Sequence, residues 1–231
     1  VLNGILIGGE SEYTQFTSQT SGEYSGIIPK VGRHSAISNL HIRLSAETEY
    51  TIGNNDISGI IAGLNEGVIF NSSIQGTGVT INSGNMGLVS GRNSGLISYS
   101  YSTLEVVELT ANALAGITYQ NQGMILSCYF TGYINNITAI GEDGEITDSI
   151  PAASIVVENA EIGGGGEGAE YVSNFIYNTY SAGVIEAVST EGNSFIANEQ
   201  GLMGAKNYID ALANVESVNI VDEDGGNIIL T

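Results

Sequence analysis

Three segments of the 231-residue chain repeat at a constant spacing of 28 residues, with no insertion or deletion between them. They cover residues 59–69, 87–97 and 115–125, and they read GIIAGLNEGVI, GLVSGRNSGLI and AGITYQNQGMI. A unit this short cannot bury its apolar side alone, but stacking on a copy of itself removes that side from water. The spacing therefore predicts a solenoid, in which chain length counts turns rather than globular domains.

Aligning the copies produces columns of aliphatic side chains. These columns are Ile61, Val89 and Ile117; Ile69, Ile97 and Ile125; and Ile81, Leu109 and Ile137. β-branched residues suit a pleated surface better than a helix, and the segments between corners have the length of strands. We therefore predict an all-β fold, a single-stranded parallel β-helix with three faces and about 28 residues per rung, with rungs about 4.8 Å apart.

A column of asparagines marks one corner of each rung. The asparagines are followed two residues later by glycine, in the pairs Asn65 and Gly67, Asn93 and Gly95, and Asn121 and Gly123. Asparagine tolerates a left-handed backbone and glycine adopts it freely, so the pattern predicts a left-handed corner. Stacked asparagine amides can also hydrogen-bond along the axis as a ladder. The alternative is that each asparagine is only a turn residue.

Two further columns carry side chains with chemical potential. Ser72, Ser100 and Cys128 align, and no histidine lies near Cys128 in sequence, so we interpret the thiol as a small buried structural residue rather than a nucleophile. Tyr101 and Tyr129 also align. An outward tyrosine stack could bind a glycan ring or a protein partner, or it could simply stabilise neighbouring rungs.

The chain reads as a single β-solenoid domain over residues 1–231, with regular rungs at 26–137. Glycine-bearing acidic clusters interrupt the period near 141–170, so we interpret residues 138–170 as a decorated insertion, which in solenoids often carries the binding role. Residues 171–231 read as degenerate rungs and a C-terminal segment.

The charge balance restricts the possible partners. The chain has 25 acidic and 5 basic side chains, a formal net charge of −20. Nucleic acid phosphates and anionic membrane surfaces both need cationic neighbours, so we expect neither as a partner. No segment approaches the roughly 20 apolar residues of a membrane span, and we expect no direct membrane insertion.

We expect no cofactor, although calcium is possible because hard carboxylate oxygens suit it. Two acidic loops supply the candidate ligands, which are Glu142, Asp143, Glu145, Asp222 and Asp224. Neither loop has the EF-hand spacing. The alternative is that both loops are simply solvated.

Residues 87–102, GLVSGRNSGLISYSYS, resemble the GLUG motif, whose repeats run roughly Gly-Leu-Val-Gly-x-Asn-x-Gly-x-Ile-x-x-Ser-Tyr. Residues 59–74 and 115–130 are looser copies. GLUG repeats occur in bacterial surface and secreted proteins, including adhesins. The resemblance implies an extracellular repeat scaffold and implies no catalytic residues.

Three functions remain open on this basis. The first is a non-enzymatic extracellular structural or adhesive module that contacts a glycan or a protein surface. The second is a filament subunit, because the open ends of a β-helix invite end-to-end self-association. The third is a polysaccharide-active enzyme, which needs two carboxylates about 5 to 9 Å apart. Since the three aligned copies contain only one acid, Glu66, we expect no enzymatic activity.

Overall fold

The computed structural model describes residues 1–7, 10–13, 19–21, 23–46, 49–139, 152–159 and 175–188, together with strands at 194–196, 218–221 and 227–230. This described part is all-β and contains no helix. Its core is a parallel β-solenoid of about four turns with roughly 28 residues per rung. The predicted fold class is confirmed.

The first half of the chain contains strands β1 (Ile5–Ile7), β2 (Glu10–Tyr13), β3 (Gln19–Ser21), β4 (Tyr24–Gly26), β5 (Ile28–Val31), β6 (Ala36–Ser38), β7 (His41–Leu44), β8 (Glu49–Gly59), β9 (Ala62–Asn65), β10 (Val68–Phe70), β11 (Ser73–Gly87), β12 (Ser90–Asn93), β13 (Leu96–Ser98) and β14 (Tyr101–Ala111). The second half contains β15 (Ala113–Ala115), β16 (Thr118–Asn121), β17 (Met124–Leu126), β18 (Tyr129–Phe130), β19 (Tyr133–Ala139), β20 (Ala152–Ala153), β21 (Val156–Asn159), β22 (Phe175–Tyr177), β23 (Tyr180–Ser181), β24 (Val184–Val188), β25 (Ser194–Ile196), β26 (Val218–Val221) and β27 (Asn227–Leu230).

Each turn passes through three sheets in the same order. Sheet A stacks β5, β9, β12, β16 and β21; sheet B stacks β1, β6, β10, β13, β17 and β22. Sheet C is the longest face, with β7, β11, β14, β19 and β24 along it. Short corners join the sheets, and every strand of a regular rung pairs in parallel with the strands of the rungs on either side.

The predicted columns lie in register inside the solenoid. Ile69 pairs with Ile97, and Ile97 pairs with Ile125. The column continues to Ile37 in one direction and to Ile176 in the other, although the sequence spacing changes there. The four members from Ile37 to Ile125 are fully buried. Longer rungs therefore keep the core register and place their extra residues outside these strands.

Part of the irregular stretch is also a rung. Within the segment interpreted as a decorated insertion, two strands are present, β20 and β21, with a corner between them. Val156 pairs with Thr118 and Asn159 with Asn121, so this rung continues sheet A in register. The residues that make this rung longer than 28 positions therefore lie outside 152–159 in the sequence.

The left-handed corner is not where the sequence placed it. Residues other than glycine with positive φ form a different column, at the corner between sheets B and C. They are Asn39, Asn71, Tyr99, Ser127 and Asn178, with φ between 46° and 56°. The glycines of the Asn-x-Gly corner serve close packing instead. A Cβ on Gly95 would lie 2.1 Å from the carbonyl oxygen of Gly67 in the neighbouring rung, which is impossible without moving backbone.

Candidate functional site

The asparagine column forms a buried ladder along the axis. Asn65 Nδ2 donates to Asn93 Oδ1 at 2.9 Å, and Asn93 Nδ2 donates to Asn121 Oδ1 at 2.9 Å. All three side chains are fully buried. Each Oδ1 also accepts the amide N–H two residues later, at 3.1 to 3.3 Å. The ladder therefore satisfies buried polar groups and holds adjacent corners in register, which is a structural role.

A second ladder runs through the serine and cysteine column. The amide of Leu40 donates to Ser72 Oγ at 3.2 Å, the amide of Ser72 to Ser100 Oγ at 3.1 Å, and the amide of Cys128 to Thr179 Oγ1 at 3.4 Å. Cys128 is fully buried, and this burial raises the pKa of its thiol to about 12. A protonated and inaccessible thiol is a poor nucleophile at neutral pH.

The tyrosine column lies on the outer side of sheet C. The rings of Tyr101 and Tyr129 stack with centroids 4.5 Å apart and planes 6° apart, and those of Tyr129 and Tyr180 stack at 5.5 Å and 7°. Burial, with smaller contributions from its two neighbours, raises the pKa of Tyr129 to about 12. The stacked faces cover one another. A sugar ring therefore cannot stack on the ring faces between rungs, and the stack stabilises neighbouring turns.

The 28-residue alignment did not include Tyr180 in the tyrosine column, because the irregular stretch breaks that spacing before it. A short local similarity in the sequence could have identified it. Tyr180 and Ser181 repeat the Tyr-Ser pair of positions 101 and 102, and they stack in register beyond Tyr129 and Phe130.

Polar side chains continue the same outer face beside the tyrosines. His41 Nδ1 and Ser73 Oγ are 2.8 Å apart. Gln75 Nε2 donates to the hydroxyl of Tyr101 at 3.1 Å. These contacts join three successive rungs, so sheet C carries one continuous polar and aromatic surface.

A shallow open groove of about 400 Å³ lies in this surface, beside Gln75. It forms where β11 bulges between Gly76 and Val79 and loses register with β14. Gly78 supplies the bulge with a left-handed backbone at φ 71°, and a Cβ there would make only an ordinary contact, 3.7 Å from the Cβ of Ala46. Glycine is therefore favoured at position 78 by its backbone conformation. At position 95 it is required because the Gly67 carbonyl leaves no room for a Cβ.

The groove offers hydrogen-bonding groups and one cation. Its polar lining consists of Arg43, Ser45, Gln75, Thr77 and Thr103. Arg43, Gln75 and Thr103 occupy the same register position on three adjacent rungs. None of the described residues that line the groove is a carboxylate, so a glycosidase pair is not supplied by this lining. The chemistry present is recognition of hydroxyl and carbonyl groups.

Arg92, the only basic residue within the three aligned copies, lies on sheet A. Its Nη2 donates to Gln122 Oε1 at 2.5 Å and its Nη1 to the hydroxyl of Tyr24 at 3.3 Å. The nearest acids of its own rung, Glu105 and Glu108, belong to β14 in sheet C. The basic residue and these carboxylates are therefore on different faces.

The candidate calcium ligands Glu142, Asp143, Glu145, Asp222 and Asp224 lie outside the described residues. Within the described residues, no group of three or more His, Cys, Asp or Glu side chains is placed to hold a metal ion. The same part of the chain contains no helix that is long and apolar enough to cross a membrane. Comparison of the chain with protein-family models, with curated proteins and with solved structures finds no match.

Proposed function

We propose that this chain is a non-enzymatic structural and adhesive β-solenoid module of a microbial surface or secreted protein, and that it contacts a neutral glycan through sheet C. The observation that carries the proposal is the groove beside Gln75, set in a continuous polar and aromatic face. The resemblance of residues 87–102 to the GLUG motif supports an extracellular location.

The scaffold suits a load-bearing or adhesive role. Backbone ladders tie each regular rung to its neighbours. The asparagine ladder also joins the rungs of residues 65, 93 and 121, and the tyrosine stack joins those of residues 101, 129 and 180. In a solenoid these nearest-neighbour contacts add along the axis, so the array resists local opening. Such a rigid array presents surface groups at fixed positions and spacing.

The ligand class follows from the charges and groups at the groove. A chain with net charge −20 repels anionic polysaccharides at long range. Amide, hydroxyl and guanidinium groups, as supplied by Gln75, Thr103 and Arg43, are suited to the hydroxyls of a neutral sugar. The ligand binds at the groove rather than on the tyrosine ring faces, because the rings cover one another.

A glycan array followed by titration calorimetry tests this assignment. Gln75→Ala is expected to weaken binding by about three- to tenfold, the loss of roughly one net hydrogen bond. The matched control is Gln120→Ala on sheet A, where Gln120 Nε2 bonds Glu158; this variant should bind as the parent does. Failure to retain any glycan, or equal losses in both variants, would overturn the assignment.

A reducing-end assay on the retained glycan separates adhesion from catalysis. No new reducing ends are expected. Hydrolysis abolished by a single carboxylate-to-amide substitution would establish the polysaccharide-active enzyme instead.

A filament subunit is the second candidate, and one observation favours it. Within the described residues, β1 pairs on one side only, with β6. Its Ile5 and Ile7 are 74% and 72% exposed. Unpaired strand edges recruit further strands, so end-to-end stacking would extend the solenoid. Electron microscopy of the isolated chain tests this candidate, since fibres would support it and single particles at high concentration would count against it.

A further inference from the structure

Three side chains of the groove form a straight row along the solenoid axis. Arg43 on β7, Gln75 on β11 and Thr103 on β14 are register partners on adjacent rungs. In sequence the first step, from 43 to 75, is 32 residues and the second, from 75 to 103, is 28. The strand pairing is regular at both steps, because the bulge of β11 begins only after Gly76. The row therefore advances by one rung, about 4.8 Å, at each step.

The row offers a different hydrogen-bonding group at each rung. The Arg43 guanidinium only donates, and the Thr103 hydroxyl both donates and accepts. Gln75 Nε2 donates to the Tyr101 hydroxyl at 3.1 Å, so the amide oxygen of Gln75 lies on the opposite side of its carboxamide from Tyr101. Each rung thus supplies one polar group of a kind that pairs with a sugar hydroxyl.

The shape of the groove suits a linear ligand. Its lining comes from three rungs, so it covers two rung steps, about 10 Å along the axis. Sites for compact small molecules enclose most of the ligand surface, which a shallow open groove does not. Polar groups placed in a line at equal steps are complementary to a molecule that itself repeats at equal steps.

Strand pairing disfavours a peptide strand as that molecule. Peptides recognised in an extended form add to an exposed sheet edge through main-chain hydrogen bonds. At Gln75, however, β11 pairs with β7 on one side and with β14 on the other. Recognition at this row therefore depends on side chains.

Given the glycan contact proposed for sheet C, we infer that the groove binds a straight neutral glycan that lies parallel to the solenoid axis, with one sugar unit on each rung. A pyranose unit of a β-1,4-linked chain is close to one rung in length, so successive units contact Arg43, Gln75 and Thr103 in turn. An α-1,4-linked chain curves and loses this match. The ligand class is therefore an extended β-linked chain, of which β-1,4-glucan is the simplest neutral example.

Titration calorimetry of the full chain with glucose and with cello-oligosaccharides of two to five units tests this orientation. Affinity is expected to rise by about three- to tenfold with each unit up to the third, one net hydrogen bond per rung. It should then level off, because Thr103 belongs to the last rung that lines the groove. Malto-oligosaccharides of the same lengths should gain little beyond the first unit.

A substitution at one end of the row tests the register. Thr103→Val nearly keeps the side-chain shape but removes the hydroxyl, so cellotriose should bind about three- to tenfold more weakly. Cellobiose, which Arg43 and Gln75 can still hold, should bind as it does to the parent. The matched control is Thr110→Val, on the same strand but outside the groove lining, which should bind every length as the parent does. Circular dichroism melting establishes that both variants are folded.

Affinity that does not depend on chain length would overturn the inferred orientation. Malto-oligosaccharides that bind as well as the cello series would do the same, and so would equal losses of cellobiose and cellotriose affinity in Thr103→Val. Retention of another neutral glycan on the array without binding of any cello-oligosaccharide would also overturn it. All of these results leave the glycan contact of sheet C in place, whereas failure to bind any glycan removes that contact and the orientation together.

Discussion

The substitution Asn93→Ala tests the central contact of the solenoid. The Asn93 side chain is fully buried and makes four hydrogen bonds. It accepts from Asn65 Nδ2 and from the Gly95 amide, and it donates to Asn121 Oδ1 and to the Met124 carbonyl. Alanine removes all four bonds and leaves no polar group to replace them.

The expected cost follows from counting these bonds. Each buried hydrogen bond contributes about 1 kcal/mol net, and more when its partner is left unsatisfied. Asn65 Nδ2 still reaches the Leu96 carbonyl and Asn121 Oδ1 still accepts the Gly123 amide, so these two partners are only partly deprived. The free energy of unfolding should therefore fall by about 4 kcal/mol, a large part of the stability of an ordinary domain.

Urea denaturation followed by circular dichroism measures this difference. The matched control is Asn112→Ala, in a corner where the backbone amide of residue 112 bonds the Gly84 carbonyl; a change within about 0.5 kcal/mol is expected there. If Asn93→Ala lost less than about 1 kcal/mol, or no more than Asn112→Ala, the ladder would not be the stabilising element that its geometry indicates.

Three further predictions concern the core, one corner and one thiol. Ile97→Asp places an unpaired charge in the buried isoleucine column and should cost more than about 4 kcal/mol; wild-type melting would refute the assignment of that column. Gly95→Ala should cost more than about 1 kcal/mol because its Cβ meets the Gly67 carbonyl, and an unchanged urea midpoint would contradict this. The pKa of Cys128 rises from 9.0 to about 12 on folding, so the native state disfavours the thiolate. Its contribution to stability is complete below pH 9 and is lost as pH rises toward 12. Cys128→Ser should lessen that loss in denaturation curves measured across this range.

The unbroken 28-residue period was enough to predict the class of fold. When three copies share one spacing, stacking brings equivalent residues into contact at every rung, and register needs no further information. The Ile69, Ile97 and Ile125 column was predictable for this reason, and so was the alignment of the asparagines. Arg92 lies on a different face from Glu105 and Glu108 because β13 and two corners separate β12 from β14.

Other features depend on contacts that spacing does not describe. The Asn-x-Gly motif predicted a left-handed corner, but its glycine is required because a carbonyl of the next rung occupies the space of a Cβ. The positive φ values occur at the following corner, where Asn39, Asn71 and Asn178 are asparagines but Tyr99 and Ser127 are not, so residue type alone does not mark the column. Such a column is set by the path of the backbone between two sheets.

For the candidate sites too, the sequence predicted which residues align, and the tertiary structure decided how they are arranged. Sequence alignment placed Tyr101 and Tyr129 together, but the interplanar angle and the burial decided that the rings stack on one another rather than present their faces to a ligand. The groove beside Gln75 arises from a bulge in β11 that brings residues of three rungs together. The row of Arg43, Gln75 and Thr103 is not evident from the sequence, because its first step is 32 residues (43 to 75) and its second is 28 (75 to 103). Only strand pairing places the three together, since a longer rung keeps the register of its strands and holds its extra residues outside them.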